Sequence, residues 1–311
     1  MSSSEVKHVP ILKDVIVQSL IEPFKLLSSD APSCWLVDCT FGGGGHTGAF
    51  LKAFEDSTEF RRHSILALDQ DPEAVERGKI RFKDAIAAGR LEILQRNFSE
   101  AGELLEQRPV LGLLADLGFS SDQLEDRNRG LSFQWEGPLD MRLNPTQGRS
   151  CLELLKQVSE FELEQILREF GEERFSKRIA AFLVESRRRG ELPKTTKGLV
   201  DLVVRATPHH ARHGKIHVAT RTFQALRIAV NEEMEVLDRL LDSVIPRIRP
   251  GGRAAVISFH SLEDRKVKNQ FKNQDLFRAL TKKPIEANDE ELSVNPRSRS
   301  AKLRIAERLV G

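Results

Sequence analysis

A chain of 311 residues suffices for about two domains, or for one domain with a large insertion. A hydrophobic content of 40%, a charged content of 30% and a net charge of +2 suit a soluble protein, and no apolar run approaches the ~18 residues of a membrane span. The three cysteines, Cys34, Cys39 and Cys151, are too few for a disulfide framework and are expected to be structural. The N-terminus lacks the pattern of a signal peptide, so we expect a cytoplasmic protein without membrane contact.

The first third of the chain predicts strands that alternate with helices. A leading helix is predicted over residues 8–23, strands over 34–38, 64–69, 91–98 and 110–117, and helices from 47 and from 71. Asp71 and Pro72 have the residue types of an N-cap and a first helical position. This alternation predicts a parallel, doubly wound sheet, in which ligands bind at the carboxyl ends of the strands.

The alternation stops after residue 117. Residues 118–148 are rich in loop-forming residues, and residues 151–205 have helical periodicity. A long helix is then predicted over 219–245, a strand over 253–259, a helix over 261–271 and a last edge strand over 301–309. Because the sheet resumes after the helices, the middle is predicted to be an insertion. The predicted domains are 1–124 with 216–311, and the inserted 125–215.

The stretch DCTFGGGGH, residues 38–46, joins the first strand to the first helix. Consecutive glycines let the backbone approach a ligand closely and adopt positive φ. Two cofactors fit this loop with Asp69 at the end of the next strand: a dinucleotide or S-adenosylmethionine, each with the acid on a ribose. Asp38 would repel a pyrophosphate and attract a cation, and Asp116 adds a second acid, so the sequence favours the methyl donor.

Two further residues near the predicted rim have open alternatives. His46 is either a locally bonded residue at a helix start or a donor to the cofactor's carboxylate. Phe98 is either a core residue or a ring that packs on an adenine.

A second polar stretch, SFHSLEDR at residues 258–265, ends the fifth strand on the same rim. We expect His260 to face the substrate, although Ser261 and Asp264 also fit a helix cap. Arg187, Arg188 and Arg189 are predicted to contact RNA phosphates, the alternative being a solvated helix end. Arg221 is a weaker candidate, because it could pair with a nearby acid.

Nine motifs together resemble the RsmH (MraW) family of 16S rRNA cytosine-N4 methyltransferases. They occur in the order DCTFGGGGH (38–46), DQDP (69–72), DLGFSSDQ (116–123), RGLSF (129–133), GPLDMR (137–142), GEER (171–174), ATRTFQALRI (219–228), SFHSLEDR (258–265) and NPRSRS (295–300). The resemblance runs from residue 8 to the C-terminus.

The resemblance implies an α/β fold, with a Rossmann-like class I methyltransferase domain and an inserted helical substrate-recognition domain. It implies methyl transfer from S-adenosylmethionine to the exocyclic N4 of a decoding-region cytidine in 16S rRNA, within the small ribosomal subunit. Matched by motif, the cofactor contacts are Gly44, Gly45, His46, Asp69, Phe98, Asp116 and Gln123. Asp38 is a further predicted contact, from its charge beside the glycine loop. Arg297 and Arg299, in the NPRSRS loop, are further candidates for RNA contact.

Cytosine N4 is a weak nucleophile, so the enzyme must hold the amine, aim it at the methyl group and accept its proton. Asp116 and His260 are the predicted catalytic residues, the target base is expected to be flipped or single-stranded, and no metal is needed. Two other functions remain as hypotheses: an NAD-dependent oxidoreductase and an RNA-binding or ribosome-assembly module without a cofactor. The sequence leaves the oligomeric state open, a homodimer included.

Overall fold

The computed structural model describes residues 10–214 and 216–310. The strands are β1 (Trp35–Asp38), β2 (Ser64–Asp69), β3 (Leu91–Gln95), β4 (Val110–Asp116), β5 (Arg253–Ser258), β6 (Phe277–Ala279) and β7 (Lys302–Arg308). The first helices are α1 (Lys13–Lys25), α2 (Gly45–Glu55), α3 (Pro72–Arg81), α4 (Lys83–Ala87), α5 (Ala101–Glu106) and α6 (Ser121–Glu125). The others are α7 (Cys151–Gln157), α8 (Glu160–Gly171), α9 (Ser176–Arg188), α10 (Thr196–Ala206), α11 (Thr220–Asn231), α12 (Glu233–Arg239), α13 (Ser261–Gln270) and α14 (Asp289–Val294).

These elements form two compact units. The sheet unit comprises Met1–Gly118 and Glu235–Gly311, and the helical unit comprises Phe119–Met234. The predicted boundaries were 124/125 and 215/216. The helical unit extends beyond 215 because α11 packs against α8, where a Cβ on Gly171 would come 2.6 Å from the carbonyl oxygen of Arg221.

The sheet unit has the strand order β3-β2-β1-β4-β5-β7-β6. Strands β1 to β5 are parallel, as predicted, and β7 runs antiparallel to β5 and β6. The chain winds outward from β1 in one direction and from β4 in the other, so the carboxyl ends of β1 and β4 flank a topological switch point. The prediction of a Rossmann-like sheet is confirmed.

The core of the sheet unit lies between the strands and the helices that cover them. Six residues of β4 are buried, as in a strand covered on both faces. Ile16, Leu20 and Phe24 of α1 are buried in the same core. The Asp71 side chain accepts the N–H of Glu73 at the start of α3, which confirms the predicted cap.

Two predicted elements were wrong in detail. Strand β7 is not at the edge, because the three-residue β6 pairs with its outer side. The predicted helix over 219–245 is broken after Asn231, since Glu232 adopts a left-handed conformation with φ 49°. The Asn231 side chain bonds to the backbone of Met141, Leu143 and Arg227, which stabilises this helix end.

The three cysteines are free and buried, in accord with a structural role. Among residues 10–214 and 216–310, no helix is both long and apolar enough to cross a bilayer.

Candidate functional site

The candidate site lies at the carboxyl ends of β1, β2, β4 and β5 in the sheet unit. Backbone bonds continue past the strand ends: the N–H of Cys39 donates to Leu114 at 2.8 Å, and that of Phe41 donates to Leu68 at 2.8 Å. The N–H of Asp116 donates to the Thr40 hydroxyl at 2.7 Å. These bonds fix the acids that end β1, β2 and β4 along one rim.

The glycine loop is shaped by positive φ and by two phenylalanine rings. Gly42 and Gly44 have φ of 51° and 72°. A Cβ on Gly44 would come 2.7 Å from the rings of Phe41 and Phe82, and one on Gly45 would come 3.1 Å from Pro10. Gly44 is therefore the position in the loop that least tolerates a side chain.

Asp38 ends β1 with its carboxylate fully buried. Its Oδ1 accepts the N–H of Thr40 at 3.2 Å, and its Oδ2 accepts the Thr47 hydroxyl at 2.7 Å. Burial raises the pKa of Asp38 to about 6, and the bonds from Thr47 and Thr40 oppose that rise. Asp38 is thus a buried acid at the start of α2 that a nearby cation would stabilise in its charged form.

Asp69 ties the glycine loop to the end of β2. Its Oδ2 accepts the N–H of Gly42 at 2.7 Å, and its Oδ1 accepts the N–H of Asp71 at 2.9 Å. Burial raises its pKa to about 6. Each carboxylate oxygen has a second lone pair, so Asp69 retains acceptor capacity for a ribose hydroxyl.

Asp116, at the end of β4, has the most perturbed acidity of the rim. Its pKa is raised to about 8, first by burial and then by the charges of Asp38 and Glu263, while the charge of Arg297 lowers it. Its Oδ1 is buried without a hydrogen-bond partner. A buried acceptor without a donor is costly, and a ligand N–H or a cation would relieve that cost.

His46 is buried in the first turn of α2. Its Nε2 lies 3.0 Å from the carbonyl oxygen of Ile11, a bond that requires Nε2 to carry the proton. Its Nδ1 lies 3.9 Å from Oδ2 of Asp116. His46 thus links the segment before α1 to the acid at the end of β4.

His260 is the N-cap of α13, directly after β5. The carboxylate of the buried Glu263 accepts the N–H of Phe259 at 2.8 Å and that of His260 at 3.3 Å. Its Oε1 lies 3.2 Å from Nε2 of His260. The sequence suggested Ser261 and Asp264 for this cap, and the structure assigns it to His260 and Glu263.

The other predicted cofactor contacts differ in position. Phe98 begins a 3₁₀ turn after β3 in the sheet unit and is half-buried. Gln123 belongs to the helical unit, where its carboxamide completes a capping box with Ser120 and donates to the carbonyl of Leu143 at 3.4 Å.

The predicted RNA-binding arginines also divide between the units. In the helical unit, Arg187 donates to the carbonyls of Leu155 and Val158 at 2.9 and 2.7 Å and so stabilises the end of α7. Arg189 pairs with Glu185 at 2.8 Å, and Arg221 donates to the backbone carbonyl of Glu172 at 3.3 Å.

Arg188 is exposed, as is Arg299 of the sheet unit. Arg297, also in the sheet unit, lies near enough to Asp116 to lower the pKa of that carboxyl.

Sequence reasoning missed several supporting residues. Thr40 and Thr47 bond to the rim acids or their backbone, and Glu263 acts on both His260 and Asp116. The sequence signal for the threonines was their position in or directly after the glycine-loop motif, two and nine residues after Asp38. Nothing local indicated Glu263, because its influence on Asp116 depends on the packing of β5 beside β4.

The rim fits S-adenosylmethionine by its charge. Three acids at the strand ends, Asp38, Asp69 and Asp116, have pKa values raised by burial, and a ligand that carries an ammonium and a sulfonium would favour their charged forms. A pyrophosphate would meet repulsion at the same acids.

Comparison with known proteins identifies the family. The model of the MraW methylase family matches residues 5–309. A "Ribosomal RNA small subunit methyltransferase H" of Prochlorococcus marinus (strain MIT 9303) is 41% identical over 309 residues, covering 99% of this chain and 95% of the relative. The protein of the same name from Heliobacterium mobile is 38% identical over 327 residues, covering 98% and 100%.

Solved structures are more distant. An rRNA methylase from Streptococcus thermophilus matches with a TM-score of 0.38 and 11% identity, over 96% of this chain and 94% of that one. So low a score supports no conclusion about function. The match of the family model over nearly the whole chain, together with relatives at about 40% identity, is decisive: the chain belongs to the MraW methylase family and is a methyltransferase that uses S-adenosylmethionine.

Proposed function

We propose that this protein methylates the exocyclic N4 of a cytidine in the decoding region of 16S rRNA, within the small ribosomal subunit. The relatives named above are small-subunit rRNA methyltransferases by name. The nine motifs of the chain match those of the cytosine-N4 enzymes. The observation that carries the choice of an amine is Asp116, whose buried Oδ1 lacks a hydrogen-bond partner.

The cofactor supplies an electrophilic methyl group when bound. In this proposal Asp38, Asp69 and His46 hold it, with the glycine loop, Phe98 and Gln123. The acids favour its cationic groups, and Asp69 accepts from its ribose. Their hydrogen bonds to Thr40, Thr47 and Gly42 fix the acids before the ligand arrives, so little reorganisation is needed on binding.

Asp116 orients the target amine and takes up its proton. An N–H of N4 donates to the unpartnered Oδ1, which localises the nitrogen lone pair and aims it at the methyl group. Formation of the new N–C bond would break the bond between the methyl group and the cofactor's sulfur, which would keep the electron pair. The nitrogen would give up one proton, and Asp116 would accept it. The pKa of Asp116 is about 8 without the cofactor, and the bound cation would lower it, so that the carboxylate is free to accept the proton near neutral pH.

His260 contacts the target base in the proposal. Glu263 accepts from its backbone and lies against its ring, which fixes the ring at the end of β5. The exposed arginines Arg188, Arg189, Arg221 and Arg299 contact RNA phosphates. The insertion is proposed to be the helical substrate-recognition domain, and the protein is proposed to act in the cytoplasm.

The test is methyl transfer from labelled S-adenosylmethionine to small-subunit particles that lack the modification. We expect label in the 16S rRNA of these particles and none in mature particles, which supply the matched control. Label in protein or DNA, or none in any substrate, would contradict the proposal. Calorimetry also compares the binding of S-adenosylmethionine with the binding of NAD. An oxidoreductase would bind NAD more tightly, whereas the proposed methyltransferase should bind S-adenosylmethionine more tightly.

A further inference from the structure

We infer that the outer face of α9 is a binding surface for single-stranded RNA in the substrate. This inference rests on the proposed function. The surface, here called the α9 face, comprises six residues, Arg174, Lys177, Arg178, Phe182, Arg188 and Arg189, all of them exposed.

The residues of the α9 face are brought together by helix geometry. A rotation of about 100° per residue places positions 177, 178, 182, 188 and 189 in an arc of about 140°. The opposite arc contains the buried Ile179, Ala180 and Leu183. From position 177 to 189 the face is about 18 Å long, at about 1.5 Å per residue.

Of the five cations of this face, one has an acidic partner on the same helix. Arg189 pairs with Glu185. Within the described parts of the chain, no ion pair involves Arg174, Lys177, Arg178 or Arg188. Helix α3 differs, since its Arg77 and Lys79 pair with glutamates one turn away.

The start of α9 places basic residues where acids are favourable. Helices α7 and α8 each begin with a serine–glutamate capping box and carry acids in the first turn. Helix α9, like α11, has no side-chain cap and no acid there, and it places Lys177 and Arg178 beside the positive end of the helix dipole. Cations at this end oppose helix stability, and a bound anion would offset that effect.

An aromatic side chain lies within the basic surface. Phe182 is 40% exposed, and the guanidinium of Arg178 lies 5.7 Å from its ring centroid. Phosphates bind to arginine and lysine, and unpaired bases stack on exposed rings whatever their sequence. A single RNA strand offers both groups, whereas an acidic protein or an anionic membrane offers no stacked base.

The test compares three full-length proteins: the wild type, the triple variant Lys177→Gln, Arg178→Gln and Arg188→Gln, and a control, Lys272→Gln, Lys282→Gln and Lys283→Gln. The control removes the same charge from exposed residues of the sheet unit. The ligand is a fluorescein-labelled single-stranded oligoribonucleotide of the decoding region, and anisotropy gives Kd from about 0.05 to 0.3 M salt.

We expect the triple variant to bind RNA at least tenfold more weakly at 0.1 M salt. The slope of its log K against log salt concentration should be shallower by about 2, because three phosphate contacts are removed and each contributes about 0.7. Phe182→Ala should weaken binding by about tenfold with the slope unchanged. The control should bind like the wild type, and all variants should bind S-adenosylmethionine equally.

Wild-type affinity and slope in the triple variant would overturn the inference, as would an equal loss in the control. If the wild type still methylates small-subunit particles in that case, the proposed function stands without this surface. If the wild type methylates no RNA, the proposed function itself fails. A triple variant that loses affinity for anionic vesicles or an acidic peptide but not for RNA would assign the face to another partner and overturn the inference.

Discussion

Asp116→Asn should stabilise the cofactor-free protein at alkaline pH. The pKa of Asp116 is raised from 3.8 to about 8 in the folded protein. A carboxyl with a raised pKa contributes its full stability below pH 4 and loses it as the pH rises through 8. Asparagine cannot ionise, so the variant should not lose this stability as the pH rises.

The size of the effect follows from the shift. Four pKa units at about 1.36 kcal/mol each set an upper limit of about 6 kcal/mol. The Asp116 side chain retains 21% of its exposure, and water reduces the cost of its charge, so we expect about 2 kcal/mol. That is a large fraction of the stability of a typical domain.

Urea unfolding at pH 4, 6.5 and 9 measures this effect over the whole window. The free energy of unfolding of Asp116→Asn relative to wild type should rise by about 2 kcal/mol between pH 4 and 9. Asp275→Asn, at an exposed aspartate, is the control and should show no pH-dependent difference. A constant difference between Asp116→Asn and wild type across this range would refute the assignment of a raised pKa to Asp116.

Three further outcomes are expected. Gly44→Ala should destabilise the protein by more than 1 kcal/mol in urea unfolding and abolish cofactor binding, because its Cβ would clash at 2.7 Å. The control Gly89→Ala, at a glycine with φ of 68° and open space around it, should retain cofactor binding. Equal losses of cofactor binding in the two variants would contradict the role of the Gly44 clash. Binding of S-adenosylmethionine at pH 7 should release up to about one proton, since a bound cation lowers the pKa of Asp116; calorimetry in buffers of different ionisation enthalpy measures this, and proton uptake would have the wrong sign. Glu263→Gln should move the alkaline rise of the transfer rate to lower pH by removing a charge that raises the pKa of Asp116; an unshifted pH profile with a reduced rate would limit Glu263 to holding His260.

The sequence predicted much of the sheet because local signals were strong. The apolar runs that end in Asp38, Asp69 and Asp116 correspond to β1, β2 and β4, and the Asp71 cap lies where it was predicted. The three-residue β6 has one buried side chain, too short a pattern to predict, so β7 was misplaced at the edge.

Other features depend on tertiary contacts. The break after α11 arises from the bonds of Asn231 to residues about 90 positions earlier in the chain, which no helical periodicity reveals. The influence of Glu263 and Arg297 on Asp116 likewise depends on strand order. Arg187 was predicted to bind RNA from its charge alone, and its hydrogen bonds to α7 required the fold.

Nucleoside analysis of the methylated 16S rRNA tests the central proposal most directly. Modification-deficient small-subunit particles are treated with the protein and S-adenosylmethionine, the rRNA is digested, and the methylcytidine isomers are separated and identified by mass spectrometry. We expect N4-methylcytidine in the rRNA treated with the wild type, and a much lower yield of N4-methylcytidine with Asp116→Asn. Methyl groups on ring carbon or the ribose, or an undiminished rate with Asp116→Asn, would contradict the proposal.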